Sequence, residues 1–122
     1  MQTVVLAAGE GTRLRPLTDR RPKPTVPVAD RTLVEHVVDT ATAAGATRVV
    51  VVVGYAAAAV REALGDRDVE FVTQERQRGT ADAVRAARSA LDDAPFAVLN
   101  GDVLYDRASL RRLYDAGPAV GA

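Results

Sequence analysis

The stretch Val-Val-Leu-Ala-Ala-Gly-Glu-Gly-Thr-Arg, residues 4–13, joins a short apolar run to a loop that contains two glycines. An apolar, β-branched run of this length that ends near glycine predicts a buried strand. Glycines directly after a strand let the backbone approach a ligand and point its N–H groups at an anion. The stretch therefore predicts a first strand followed by an anion-binding loop.

Neither common phosphate-binding loop fits this stretch. A nucleoside-triphosphate P-loop requires lysine and then a hydroxyl residue directly after its last glycine, whereas Gly11 is followed by Thr12 and Arg13. The dinucleotide fingerprint requires a third glycine and a clean helix start, whereas this chain has Leu14 and then Pro16. An NAD-type binding domain is therefore a disfavoured alternative.

Outward from this stretch, short apolar runs alternate with segments of helical period. The pattern predicts strands at residues 4–7, 49–53, 69–72 and 96–99, helices at 32–44, 56–64 and 80–91, a fourth helix around 110–114, and the opening of a fifth strand at 119–122. Such alternation predicts an α/β fold, a Rossmann-like doubly wound, mostly parallel sheet with strand order 3-2-1-4. A ligand is then expected outside the carboxyl ends of the strands.

Composition excludes several classes of function. The 122 residues carry 16 basic and 16 acidic side chains, and this balance argues against partners such as nucleic acid or an anionic membrane surface. No apolar run approaches the roughly 18 residues of a membrane span. There is no cysteine, which excludes disulfides and thiol chemistry. A single cytoplasmic domain is the default expectation.

Positive charge is nevertheless concentrated after the first strand. Residues 10–31 hold six basic and three acidic side chains, a local charge of +3, and Lys23 is the only lysine of the chain. A solvated loop of no particular role is the plain alternative. The position after strand one favours an anion site, in which Arg13 can form a forked pair of hydrogen bonds to phosphate oxygens.

Three motifs carry a resemblance to a known family. LAAGEGTRLRPLT at residues 6–18, with PKP at 22–24 and VPV at 26–28, resembles the signature of the sugar-1-phosphate nucleotidyltransferases. QERQRGTADA at 74–83 resembles the base-recognition segment of that family, and LNGD at 99–102 resembles its metal motif. The motifs stand in the family's order and cover nearly the whole chain, so the resemblance implies a glycosyltransferase-A-like nucleotidyltransferase fold.

The resemblance also implies a reaction and its catalytic residues. A nucleotidyl group would pass from a nucleoside triphosphate to a sugar 1-phosphate, with release of pyrophosphate. Arg13 would hold the departing phosphates, Lys23 would lie between the two substrates, and Asp102 would bind Mg²⁺. A helix cap or turn is the structural alternative for Asp102.

The nucleotide itself would be contacted, by the same resemblance, by Leu6, Ala8, Gly9, Gly11, Thr12, Arg13, Gln74, Gly79 and Thr80. The side-chain amide of Gln74 can donate and accept together, which suits the edge of a pyrimidine and favours UTP or dTTP. ATP stays open, because residues 78–83 are also similar to adenylyltransferases that act on glucose 1-phosphate. Thr80 is also expected to cap the following helix, and Asp82 is assigned no chemistry.

Catalytic domains of this family are longer than the chain. Residues 1–122 are therefore expected to be the N-terminal nucleotide-binding part of a nucleotidyltransferase domain, without the C-terminal sugar-binding half and its second metal-binding aspartate. Exposed sheet edges would favour a homo-oligomer. A non-catalytic nucleotide-binding fragment, or sensor subunit of the same fold, is the alternative.

Overall fold

A four-stranded parallel sheet with helices on both faces forms the framework of the chain. The computed structural model describes residues 1–7, 27–28, 31–54, 57–65, 67–74, 80–101 and 103–116. Its strands are β1 (Gln2–Ala7), β2 (Pro27–Val28), β3 (Arg31–Thr32), β4 (Arg48–Val53), β5 (Glu70–Thr73) and β6 (Phe96–Asn100). Its helices are α1 (Leu33–Ala44), α2 (Ala57–Ala63), α3 (Thr80–Ala87) and α4 (Arg107–Ala116), and a 3₁₀ turn, Arg88–Ala90, follows α3.

The strand order of the sheet is β5-β4-β1-β6, and all three pairings are parallel. Counted along the chain among these four strands, this is the predicted order 3-2-1-4. A separate antiparallel pair, β2 with β3, was not predicted, so the numbering of the strands differs in detail. The predicted doubly wound α/β class is confirmed.

The valine run of β4 occupies the middle of the sheet. Val50–Val53 are fully buried, because β4 is paired on both edges and covered on both faces. Alternate side chains of the parallel strands join two cores. One core packs against α1, α2 and α4, and the other against α3.

Helix α1 has defined start and stop signals. The Thr32 hydroxyl accepts from the Glu35 backbone N–H, while the Glu35 carboxylate accepts from the Thr32 backbone N–H. This reciprocal pairing satisfies donors that a helix start leaves without partners. Gly45 ends the helix with φ 112°, a left-handed conformation that glycine adopts at little cost. Both ends were predicted from the sequence and are confirmed.

Helix α3 is shorter than predicted. It ends at Ala87 and tightens into the 3₁₀ turn, after which Leu91 is extended. The buried side chain of Gln2 holds the departing chain. Its Oε1 accepts from the Asp92 backbone N–H at 2.7 Å, and its Nε2 donates to the Asp92 and Ala94 carbonyls at 3.2 and 3.3 Å. This contact between residues distant in sequence fixes the segment that leads from the 3₁₀ turn into β6. The predicted fifth strand lies outside the described residues.

A cluster of charged side chains attaches β3 and the segment after α2 to helix α1. Asp39 accepts from Arg31 Nη1 at 2.8 Å and from Arg67 Nε and Nη2 at 2.8 and 2.9 Å. Arg67 also pairs with Glu35 at 3.1 Å. The Arg67 hydrogen bonds, with those of Arg31, hold the pKa of Asp39 below its ordinary value of 3.8, although partial burial opposes them.

The ends of β1 and β6 approach too closely for a side chain between them. The Gly101 backbone N–H donates to the Leu6 carbonyl oxygen at 2.8 Å. A Cβ atom added at Gly101 would stand 2.8 Å from that same oxygen. Any other residue at this position therefore requires the backbone of β1 or β6 to move.

The Asp39 cluster gives a prediction on stability. We expect Asp39→Asn to lower the free energy of unfolding at pH 7 by about 1 kcal/mol, a modest value because the carboxylate is one-third exposed. Because the folded-state pKa is lowered, the contribution is present above pH 3.8 and is lost as the pH falls through the folded-state pKa. Urea unfolding of the unmodified chain and of Asp39→Asn, from neutral to strongly acid pH, measures this difference in the free energy of unfolding. Asp68→Asn, at an exposed aspartate, is the control. An equal difference at neutral and strongly acid pH would contradict the assignment.

The Gly101 contact gives a second prediction. Gly101→Ala should lower the free energy of unfolding by about 1–3 kcal/mol, because the new methyl group overlaps a backbone oxygen in a packed sheet. Gly65→Ala is the matched control, since its Cβ would meet the nearest atom, the Glu62 carbonyl oxygen, at 3.4 Å. Chemical denaturation of the three proteins tests this, and equal stability of the two variants would refute the steric argument.

Candidate functional site

The carboxyl ends of the four parallel strands lie along one edge of the sheet, which we call the ligand edge. β1 ends at Ala7, β4 at Val53, β5 at Thr73 and β6 at Asn100. The pairing aligns these ends, since Ala7 is opposite Val53 and Val53 is opposite Thr73. Open parallel sheets bind ligands outside this edge, and the residues that follow each strand are therefore the candidates for function.

Leu6 is the described site residue on β1. It pairs with Val52 on one side and Asn100 on the other, and its side chain packs against the core under α3. Its carbonyl oxygen receives the Gly101 N–H. Leu6 thus fixes the position from which the glycine-rich loop after β1 departs.

The segment after β6 folds back onto the end of its own strand. The Tyr105 hydroxyl accepts from the Asn100 backbone N–H at 2.9 Å, and the Val103 N–H donates to the Asn100 carbonyl at 3.4 Å. Val103 and Leu104 are exposed apolar side chains in this connection. The residues on both sides of position 102 are therefore anchored to the end of β6.

Gln74 extends the pairing of β5 by one residue. Its backbone N–H donates to the Val53 carbonyl at 2.7 Å, and its side chain is only 6% exposed. The side-chain Nε2 donates to Asp82 Oδ2 at 3.2 Å. A polar side chain is thus held at the ligand edge by both its backbone and its amide group.

The start of α3 completes this corner of the edge. Thr80 is the first residue of α3, one position inside the helix that we expected it to cap. Asp82 stands in the first turn, where the helix dipole favours a negative charge. Arg85 approaches Asp82 at 4.0 Å but is 78% exposed, so water screens this pair strongly.

The structure brings part of the predicted site together. Leu6 and Gln74 lie at the same edge on strands separated by β4, which corresponds to about 10 Å across the sheet. Thr80 begins the helix that follows Gln74. The other predicted site residues lie outside the described residues and stay predictions: Ala8, Gly9, Gly11, Thr12, Arg13, Lys23, Gly79 and Asp102.

The metal prediction rests on a residue of that second group. Within the described part of the chain, no three His, Cys, Asp or Glu side chains come together as a metal site. Asp102 directly follows Gly101, whose backbone is fixed against β1. The same described residues contain no helix of the length and apolar character required to cross a membrane.

Three residues at this edge were missed as site residues by sequence reasoning. The sequence motifs assign no chemistry to Asp82, include Gly101 only as a member of LNGD, and do not extend to Tyr105. Asp82 lies in α3 whereas Gln74 follows β5, so no periodicity within a single helix or strand predicts their contact. The glycine beside Asp102 was the one available signal, because glycine permits close backbone approach.

Comparison with known proteins agrees with the fold. The family described as nucleotidyl transferase matches residues 2–117. The bifunctional protein GlmU of Burkholderia thailandensis is 49% identical over 118 residues, which are 95% of this chain and 25% of that protein.

Two solved structures share the architecture. UDP-glucose pyrophosphorylase from Acinetobacter baumanii superimposes with a TM-score of 0.81 at 27% identity, over 94% of this chain and 51% of the other. The Mycobacterium tuberculosis protein Rv0371C, in complex with manganese, gives 0.77 at 29% identity, over 94% and 58%.

The chain thus spans about a quarter of the length of the curated relatives and just over half of these solved structures. The family match nevertheless extends from β1 to the residue after α4, through all the strands and motifs described above. From the sheet, its ligand edge and this match, the chain belongs to the nucleotidyl transferase family.

Proposed function

We propose that the chain binds a nucleoside triphosphate at the carboxyl edge of the sheet and takes part in nucleotidyl transfer to a sugar 1-phosphate. The observation that carries the proposal is the contact between Gly101 and Leu6. Because the ends of β1 and β6 are joined there, the loop of residues 8–13 and Asp102 depart from neighbouring points. A triphosphate-binding loop and a carboxylate for a divalent ion are required side by side in such a reaction.

The reaction sets clear demands on the protein. An oxygen of the sugar phosphate forms a bond to the α-phosphorus of the triphosphate, the bond between that phosphorus and the bridging oxygen to the β-phosphate breaks, and pyrophosphate leaves. The attacking oxygen is already anionic at neutral pH, so no general base is required. Catalysis then consists of aligning the phosphates and stabilising their charge.

Arg13 and Lys23 are the proposed cationic groups. The planar guanidinium of Arg13 suits two oxygens of the departing pyrophosphate, and the compact ammonium of Lys23 suits the crowded position between the two substrates. Since the chain carries no net charge, this local excess of cations is what would attract two anionic substrates.

Asp102 is the proposed ligand of a divalent cation, with Mg²⁺ as the expected ion. Its carboxylate supplies the oxygen donor that Mg²⁺ and Mn²⁺ accept. When bound, such an ion supplies charge neutralisation at the phosphates. The manganese complex of the Mycobacterium tuberculosis protein supports a divalent ion in a related fold.

Gln74 is the proposed reader of the base. Its buried amide offers a donor and an acceptor at the edge of the sheet, which matches the paired groups of a pyrimidine ring. The name of the Acinetobacter neighbour, UDP-glucose pyrophosphorylase, supports uridine, and thymine presents the same pair of groups. We therefore propose UTP or dTTP as the nucleotide.

The function is tested by pyrophosphate release from UTP, dTTP or ATP with glucose 1-phosphate or N-acetylglucosamine 1-phosphate and Mg²⁺, alongside nucleotide affinity by calorimetry. We expect Lys23→Ala to lower the rate about a hundredfold or more, because a charge that stabilises the transition state is lost. Asp102→Asn should also abolish the dependence of nucleotide binding on Mg²⁺.

Arg111→Ala is the matched control, since Arg111 is exposed on α4. It should leave both rate and affinity unchanged. If the chain binds nucleotide but no substrate pair is turned over, the catalytic proposal is rejected in favour of the non-catalytic nucleotide-binding alternative. Absence of nucleotide binding would reject the proposed function altogether.

A further inference from the structure

The amide of Gln74 is held in one orientation by a carboxylate. Gln74 is 6% exposed, and its Nε2 donates to Asp82 Oδ2 at 3.2 Å. Its backbone is fixed as well, through the 2.7 Å hydrogen bond to the Val53 carbonyl. The side chain therefore starts from a fixed point and meets a fixed partner on α3.

The chemistry of this partner removes one of the two amide orientations. A carboxylate only accepts hydrogen bonds, whereas an amide group has an NH₂ donor at one end and an oxygen acceptor at the other. Rotation of the amide by 180° would place Oε1 of Gln74 against Oδ2 of Asp82. Two acceptors would then face each other at a partly buried position, where an unmade hydrogen bond is costly.

The orientation of this amide matters for the choice of base. Uracil and thymine present a ring N3–H donor next to an acceptor oxygen at C4. Cytosine presents an acceptor nitrogen next to an amino donor at the same positions. At a given placement of the ring, an amide in one orientation forms two hydrogen bonds with uracil, and the reversed amide forms two with cytosine. A glutamine free to rotate would accept both bases.

We propose that Asp82 is a positioning residue that sets base specificity: it fixes the Gln74 amide so that the site accepts uracil or thymine and rejects cytosine. This inference rests on the proposed function, in which Gln74 reads the base. Arg85 does not substitute for the amide as the partner of Asp82, because it lies 4.0 Å away and is largely exposed.

The test is the ratio of UTP to CTP affinity, measured by calorimetry with Mg²⁺ on the unmodified chain and on two variants. Asp82→Asn keeps the shape of the side chain but can pair with either orientation of Gln74. Asp82→Ala removes this hydrogen-bond acceptor. We expect the unmodified chain to bind UTP more tightly, and each variant to reduce the UTP-to-CTP ratio about tenfold, through weaker UTP binding and stronger CTP binding.

Thermal unfolding of each variant establishes that it is folded, and Asp93→Asn is the control, because Asp93 is an exposed aspartate beyond α3. The proposal would be overturned if the UTP-to-CTP affinity ratio were unchanged in folded variants, or if the affinities for UTP and CTP fell equally. Asp82 would then only stabilise the start of α3. A chain that binds UTP and CTP equally, yet releases pyrophosphate, would overturn it while leaving the proposed function intact. A chain that binds neither nucleotide would reject both.

Discussion

One backbone contact determines how the ligand edge is built. The Gly101 N–H reaches the Leu6 carbonyl at 2.8 Å, with no space for a side chain between β1 and β6. Because of this contact, β1 and β6 end beside each other at the same edge of the sheet. The segments that follow them in sequence carry the predicted phosphate-binding and metal-binding residues. If a side chain separated the two strand ends, the points from which these segments start would lie farther apart. The electrostatic interactions that the proposed reaction requires between their charged groups would then be weaker.

Much of the framework could be predicted because it depends on local patterns. The continuous valine run predicts that β4 is buried on both faces, as it is. Thr32, Glu35 and Gly45 mark the two ends of α1 through contacts with residues close in sequence. The β2–β3 pair and the end of α3 could not be predicted in this way. The first joins strands of only two residues, and the second is a change from an α-helix to a 3₁₀ turn within a segment whose apolar period continues.

The same distinction applies to the candidate site. The general rule for parallel sheets predicts a site at the carboxyl ends of the strands, and Leu6 and Gln74 both lie at that edge. The Asp82 contact was not foreseen, because it requires knowing how α3 packs beside the end of β5. The resemblance of motifs suggested which residues touch the nucleotide, but it gave no information on which neighbours orient them. In the proposal made above, such a neighbour, Asp82, sets the polarity of the Gln74 amide.

The two attachments of β6 to β1 have a mechanical consequence. Before the amino end of β6, the Gln2 amide forms hydrogen bonds with Asp92 in the segment that leads into the strand. At the carboxyl end, the Gly101 N–H donates a hydrogen bond to the Leu6 carbonyl. Translation of β6 along its neighbour would break both attachments at once. The carboxyl end of β6 is therefore held in a fixed register against β1, and Gly101 is a rigid attachment point for the chain that follows it.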